Sequence, residues 1–449
     1  MSTIVETDTE AAARSGTFAT DAGLGRLPAP GGSSFSLVAG SAPPDARRIA
    51  IVHDQLYTIG GAEQVLREIL RCYPSADLFA LFDILPEDQR GFLAGRRVVT
   101  TGLQRLPGLK RFHRHYLPLM PFQIEQLDLR GYDIVISSSY LVAKGVIVGP
   151  DQLHVCYVHS PMRYAWDMQF QYLEDMRMTR GVGGLLLRQI MHYLRMWDHR
   201  SAAGVDQFIA NSQFIARRVR KAYRRDAKVI YPPVETGRAN AAGPAPERGD
   251  FFLTVSRLVP YKRVNLLVEA FRQRPDARLV VLGDGPERSR LEAAAPDNVT
   301  FLGFQSDTVV TDHFRRARAF LYAAEEDFGL VPVEAQACGT PVIAYGRGGA
   351  CETVVDAGRP GATGVLFSEQ TPEAIVAALE RFERHAEELT AENCRLNARR
   401  FAGERFRDEF RAAVEQAYAE FVASMALPSG APTSATRGGA HVAIADNTG

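Results

Sequence analysis

YAAEEDFGLVPVEAQACGTPVIAY, from Tyr322 to Tyr345, is the stretch that decides the fold. It opens and closes on short apolar runs of strand length, and between them stand an acidic loop and a helix-like segment, PVEAQACG. Glu326 and Glu334 lie eight residues apart around Phe328-Gly329-Leu330. That spacing puts one carboxylate in the loop after a strand and the other in the first turns of the next helix, both facing one cavity. Carboxylates accept hydrogen bonds from vicinal hydroxyls, so such a pair suits a sugar and a ribose. The amides of Gly329 and Leu330 at the helix N-terminus suit the negative end of the same ligand. Most glutamates are solvated helical acids, but Glu334 sits in the apolar run VPVEAQA, where it needs a partner.

The same alternation of strand and helix extends outward through the chain. ARAFLYAA, NVTFLGF, ARLVVLGDG and DFFLTVSR precede TPVIAYG in the second half. RRIAIVHD, ADLFALF, YDIVISSS, LHVCYVHS and VDQFIANS stand in the first, with helical stretches such as AEQVLREILRCY between them. Strands apolar on both faces that alternate with helices imply parallel sheets covered on both sides. Two doubly wound α/β domains in tandem follow, with ligands at the carboxyl ends of the strands and a deep cleft between the domains. Residues 1–46 and 427–449, rich in small residues, read as disordered tails. The division expected is 47–232 for the first domain, 233–249 for a Pro/Gly/Ala linker, 250–400 for the second domain, and 401–426 for a helix packing back on the first.

Composition removes several function classes. The chain has 449 residues, with 52 Lys+Arg against 52 Asp+Glu and a formal net charge of zero, so no global field favours nucleic acid. Its five cysteines are scattered without a C-x-x-C pair, which speaks against a disulfide framework, a structural zinc or a redox dithiol. No apolar run is long enough to span a bilayer, and no basic and then apolar leader opens the sequence. A cytoplasmic protein, free or held at the inner membrane face, is expected.

Two further signals sit at strand ends. Gly60 and Gly61 precede a helix beginning near Ala62, where backbone amides can approach an anion. Two glycines serve a tight turn equally well. Arg257 ends the strand DFFLTVSR and Lys262 follows five residues later. A guanidinium fork and a point charge suit a diphosphate, although an isolated pair of this kind is commonly a solvated basic turn.

Taken in order, S-R-L-V-P-Y-K, V-L-G-D-G-P-E, E-D-F-G-L-V-P-V-E and A-C-G-T-P-V-I resemble the retaining glycosyltransferases of family 4, over roughly residues 48–422. The first half resembles them through I-G-G-A-E and Tyr157-Val158-His159-Ser160-Pro161. The following Met162-Arg163-Tyr164-Ala165-Trp166-Asp167 is similar to bacterial polysaccharide mannosyltransferases of that family. The resemblance implies the GT-B fold, two Rossmann-like domains facing across a cleft. It also implies roles: Glu334 on the ribose, Glu326 on the donor sugar beside Phe328, Gly329 and Leu330, and Arg257 and Lys262 on the diphosphate. Gly60 and Gly61 would close on the diphosphate from the opposite domain, His159 would lie against the sugar near the reacting carbon, and the main chain around Phe301 and Gly303 would hold the base. On the residues alone, His159 reads first as a satisfied core histidine.

The implied chemistry is front-face transfer with retention, from a nucleotide diphosphate sugar, with no cofactor and no metal. Arg257, Lys262 and helix N-terminal amides stabilise the leaving charge in that reading. GDP-mannose is the donor expected, and a lipid-linked oligosaccharide of exopolysaccharide or O-antigen synthesis the acceptor. Arg96, Arg97, Arg105, Lys110, Arg111 and Arg114 alternate with apolar and aromatic residues without one acid, so residues 96–122 suit either an anionic membrane or a solvated surface. A GT-B epimerase or phosphorylase, or a non-catalytic nucleotide-sugar scaffold, are the competing readings.

Overall fold

The structure, a computed structural model, describes residues 47–237 and 247–426. The expected tails at 1–46 and 427–449 lie outside the described residues, as does the middle of the linker.

Two parallel sheets organise the chain. The first holds β1 (Ile49–His53), β2 (Asp77–Ala80), β3 (Val98–Thr100), β4 (Ile134–Ser139), β5 (Leu153–Val158), β6 (Gln207–Ala210) and β7 (Lys228–Val229), in the spatial order β3-β2-β1-β4-β5-β6-β7. The second holds β8 (Phe252–Val255), β9 (Leu279–Leu282), β10 (Val299–Gly303), β11 (Phe320–Tyr322), β12 (Val342–Tyr345) and β13 (Gly364–Phe367), in the order β10-β9-β8-β11-β12-β13. Each reverses direction beside its first strand, at β1/β4 and at β8/β11. Those are the switch points where doubly wound sheets open a crevice at their carboxyl ends. β1, β4 and β5 are buried along their whole length, which is why their sequences are largely apolar, broken only by buried His53, Ser137, Ser138, Ser139 and His154.

β3, β7 and β13 carry no strand signal in the sequence. The first two are edge strands of three and two residues, too short to show a pattern, and the third opens on a glycine.

The long helix Gly403–Met425 packs onto the first sheet although it follows the second. Its Phe406, Phe410, Val414 and Ala417 enter the core that Ile51, Ile136 and Tyr157 build. Tyr157 meets the rings of Phe406 and Phe410 at 5.7 and 6.2 Å. Glu68 of helix Gly61–Cys72 takes Arg407 at 2.5 Å, and Arg47 takes Glu415 at 2.8 Å. Among the described residues, no helix is long and apolar enough to cross a membrane.

Candidate active site

The carboxyl ends of both sheets are joined by side chains. After β11, Asp327 receives Arg218 at 2.9 Å and Arg163 at 3.5 Å, both from the first domain. Its carbonyl accepts the Ser212 hydroxyl at 2.6 Å. The first amides of helix Gln213–Tyr223 donate to Glu352 of the second domain, from Gln213 at 2.7 Å and from Phe214 at 2.9 Å. An acid at an N-terminus satisfies donors that the helix itself leaves open.

Between these contacts lies a cavity of about 470 Å³, within the usual range for a small-molecule site. Gly61, His159, Lys262, Glu326, Phe328, Gly329 and Leu330 line it, so seven of the residues expected from sequence come together there. The remaining ones stand apart from its lining. Gly60 gives its amide to Glu63 at 2.8 Å, Arg257 is exposed, and Glu334 is half-buried one turn beyond Leu330. Phe301 packs on the second core, and the Gly303 carbonyl accepts the Gly283 amide at 2.8 Å.

The acidic loop is held from behind by a second glycine pair. Gly348 bridges to Glu326, and the Gly349 amide donates to the Glu326 carbonyl at 2.8 Å. A Cβ at Gly349 would fall 2.2 Å from the Phe328 backbone, so no larger residue permits this approach. The loop then presents Glu326 to Lys262, whose ammonium donates to Oε1 and, at 3.3 Å, to the Tyr322 hydroxyl. Burial by itself would raise the Glu326 carboxyl, but the Lys262 charge and hydrogen bond outweigh it and hold the group below its ordinary value.

From the first domain a buried chain of hydrogen bonds runs to the cavity wall. Glu63, 3.4 Å from Nε2 of His53, also accepts the Gly60 amide. Nδ1 of His53 is 3.1 Å from Ser138 Oγ, which is 2.9 Å from Nε2 of His159. Where Nε2–H of a neutral His53 donates to Glu63, the Ser138 hydroxyl donates to its Nδ1 and accepts from Nε2–H of His159. In that arrangement Nδ1 of His159 is the nitrogen left to accept. Burial, then the neighbouring His53, pushes its pKa down to about 3. Next to it Asp54 accepts four amides, from Tyr140 to Ala143, at 2.6 to 2.8 Å, and so fixes the loop that carries Tyr140 on the cavity wall.

Arg163, Tyr140 and Asn211 also stand in the lining, without a role expected from sequence. Arg163 lay within a quoted motif, and a cation beside an acidic loop was the available signal. Asn211, which donates to the His159 carbonyl at 2.9 Å, had none.

Residues 59–238 match the Glycosyltransferase Family 4 model, and residues 238–401 match the model of Glycosyl transferases group 1. The chain belongs to the family 4 type of glycosyltransferases. Its fold is GT-B: sucrose-phosphate synthase from Thermosynechococcus elongatus superposes with a TM-score of 0.62 at 21% identity, over 83% of this chain and all (100%) of that one. Anabaena HepE, solved with UDP and glucose, superposes at 0.58 and 19% identity, over 82% and 99%. Among curated relatives, D-inositol 3-phosphate glycosyltransferase of Mycobacterium leprae is 35% identical over 186 residues, 36% of this chain and 42% of that one. The Kineococcus radiotolerans enzyme of the same name is 33% identical over 221 residues, 40% and 50%. The matched region thus spans half the length of these relatives or less. The two models matched in this glycosyltransferase meet at residue 238 of the sequence.

Proposed function

We propose that the chain transfers a sugar from a nucleotide diphosphate sugar to an acceptor hydroxyl, with retention, in the cavity between the two sheets. The observation that carries the reading is the meeting of Glu326 and Lys262 from one domain with His159 and Gly61 from the other around a single cavity. Lys262, Arg163 and Arg218 balance Glu326, Asp327 and Asp167, and the exposed Arg257, two residues past the end of β8, has no acid paired with it among the described residues and is the cation offered to an anionic ligand.

In the proposed reaction the bond from the anomeric carbon to the phosphate oxygen breaks, and the acceptor oxygen bonds to that carbon on the same face. The departing phosphate oxygen takes the acceptor's proton. Lys262, Arg257, Arg163 and the amides of Gly329 and Leu330 meet the charge that develops on the diphosphate, and no metal is assigned a part. Glu326 and the lone pair on Nδ1 of His159 accept from sugar hydroxyls, and Glu334 accepts from the ribose. GDP-mannose is the first donor to test, because YVHSPMRYAWD resembles polysaccharide mannosyltransferases. UDP, present in the HepE structure, makes UDP-glucose the second. The acceptor proposed is a lipid-linked oligosaccharide, met at the cytoplasmic membrane face.

Thermal unfolding against a panel of GDP-, UDP- and ADP-sugars tests this. One nucleotide series is expected to raise the melting temperature at sub-millimolar concentration. No shift from any of them would remove the donor site.

A further inference from the structure

Helix Gly181–Ser201 is apolar on two faces. One is taken up by the fold, where Met191, Leu194 and Trp197 are buried beside Leu109, Met120 and Ile124. The other is bare: Val182 is 85% exposed, Leu185 68%, Leu186 61% and Met196 55%. Residues three, four and fourteen positions apart share a side of a helix, so these four form one stripe. The preceding turn lies against the helix start, because Gly184 lets the Met178 carbonyl approach to 2.4 Å of where a Cβ would stand. That turn carries Met176, and helix Gln169–Asp175 before it carries Phe170, exposed by 46% and 69%. A contiguous apolar surface of this kind marks an interaction site.

The charge around it selects the partner. From Phe170 to Trp197 the chain has Arg177, Arg180, Arg188 and Arg195 against Glu174 and Asp175, a net charge of plus two with no acid after Asp175. Arg177 and Arg180 are exposed at the helix start. Two copies meeting through this face would set arginines against arginines, whereas anionic headgroups would meet them. We propose that this face docks on an anionic lipid bilayer, with Val182, Leu185 and Leu186 entering the headgroup boundary.

The same helix forms the back of the cavity rim. Arg195 donates to the Ala165 carbonyl at 2.5 Å and Trp166 to Asp198 at 2.8 Å, while Arg163 and Tyr164 of that turn line the cavity. A bilayer under the helix therefore brings a lipid-borne acceptor to the cavity from the first-domain side. For this purpose the docking surface rests on the lipid-linked acceptor proposed above. Its test does not.

The experiment is flotation of the full chain with phosphatidylcholine vesicles, with and without phosphatidylglycerol. Three proteins are compared: the parent, a Val182→Ser/Leu185→Ser/Leu186→Ser variant, and an Arg105→Gln/Lys110→Gln/Arg111→Gln/Arg114→Gln variant. The parent is expected to float with the anionic vesicles, less so at high salt. The serine variant loses at least about tenfold in partition, as expected when buried methylenes are removed, and the glutamine variant keeps most of it. Equal flotation of the serine variant and the parent overturns the proposal. So does a parent that ignores vesicles but forms a dimer which the serine variant dissolves. Donor-induced thermal shifts run alongside separate the two readings, since none of the three serine positions lines the cavity. Vesicle binding lost with the serines, in a chain that no nucleotide sugar stabilises, leaves the docking face standing and removes the enzyme reading.

Discussion

Ser138 Oγ stands 2.9 Å from Nε2 of His159 and so decides which nitrogen of that ring carries the proton. The hydroxyl is fully buried and shared with His53 at 3.1 Å, which leaves it no other donor role. Ser138→Ala leaves Nδ1 of His53 and Nε2 of His159 unpaired, at about 1 to 3 kcal/mol of stability for buried groups left without a partner. Nitrogen-15 NMR of the imidazoles is expected to show His159 as a single tautomer with bare Nδ1 in the parent and as a mixture in the variant. A parent His159 protonated on Nδ1 contradicts the chain of donors.

A Cβ at Gly61 would lie 2.8 Å from Leu330 Cδ1 across the cavity, so a side chain there must push that leucine tip aside. Overpacking of this kind costs about 1 to 3 kcal/mol. Gly61→Val is expected to lower sugar transfer by at least about tenfold, and Leu330→Ala in the same chain to restore part of it. A double variant no better than Gly61→Val alone would show that the two residues do not meet in the working enzyme.

Glu334→Ala is expected to leave the fold intact and weaken nucleotide binding by about 1.5 to 3 kcal/mol, the worth of hydrogen bonds to a charged acceptor. Titration calorimetry reads this directly. An unchanged dissociation constant takes the ribose away from Glu334.

Acid should destabilise the chain earlier than its carboxylates alone require. Burial pushes His154 down to about 4 and His159 down to about 3, against an ordinary 6.5. Below pH 6.5 the unfolded chain takes up protons that the folded chain refuses, so stability is full above that pH and falls progressively toward pH 4. His154, between Ser137 at 2.8 Å and the Gly204 carbonyl at 3.0 Å, is the easier to isolate. Melting temperatures from pH 7.5 to 4.5 are expected to fall for the parent and to fall less steeply for His154→Gln. Parallel slopes would contradict the assignment.

Changing Arg257 and Lys262 together to Met is expected to remove about a hundredfold or more of turnover at saturating donor, while the parent keeps its activity in EDTA. Lys262 also neutralises Glu326, so the single Lys262→Met variant leaves that acid with only the Tyr322 hydroxyl and the Arg163 charge, and is more damaging than Arg257→Met alone. Activity abolished by EDTA and restored by magnesium would overturn the role given to these cations.

Much of this was legible in the sequence because it was local. β4, β5 and β12 announce themselves as apolar runs, and Glu326, Phe328, Gly329 and Leu330 share one loop and one helix start. What pairing decides was hidden. Nothing in the spacing of Glu63, His53, Ser138 and His159 shows that parallel register brings three strand ends into one hydrogen-bond chain. Asp327 read as part of an acidic loop, and only the approach of Arg163 and Arg218 from the other domain makes it a clamp. The apolar stripe of helix Gly181–Ser201 was equally unreadable, since Leu185 and Leu194 look alike until one is seen to be exposed and the other buried.

Incubation of the chain with isotopically labelled GDP-mannose and UDP-glucose, together with a bacterial lipid-linked oligosaccharide fraction, tests the account most directly. Mass spectrometry of the lipid fraction and proton NMR of the new linkage are the readouts. The account predicts release of the nucleoside diphosphate, one labelled hexose gained by the lipid-linked acceptor, and an anomeric configuration unchanged from the donor. Donor consumed to an epimer or a free sugar with no label on lipid, or a linkage of inverted configuration, would contradict it.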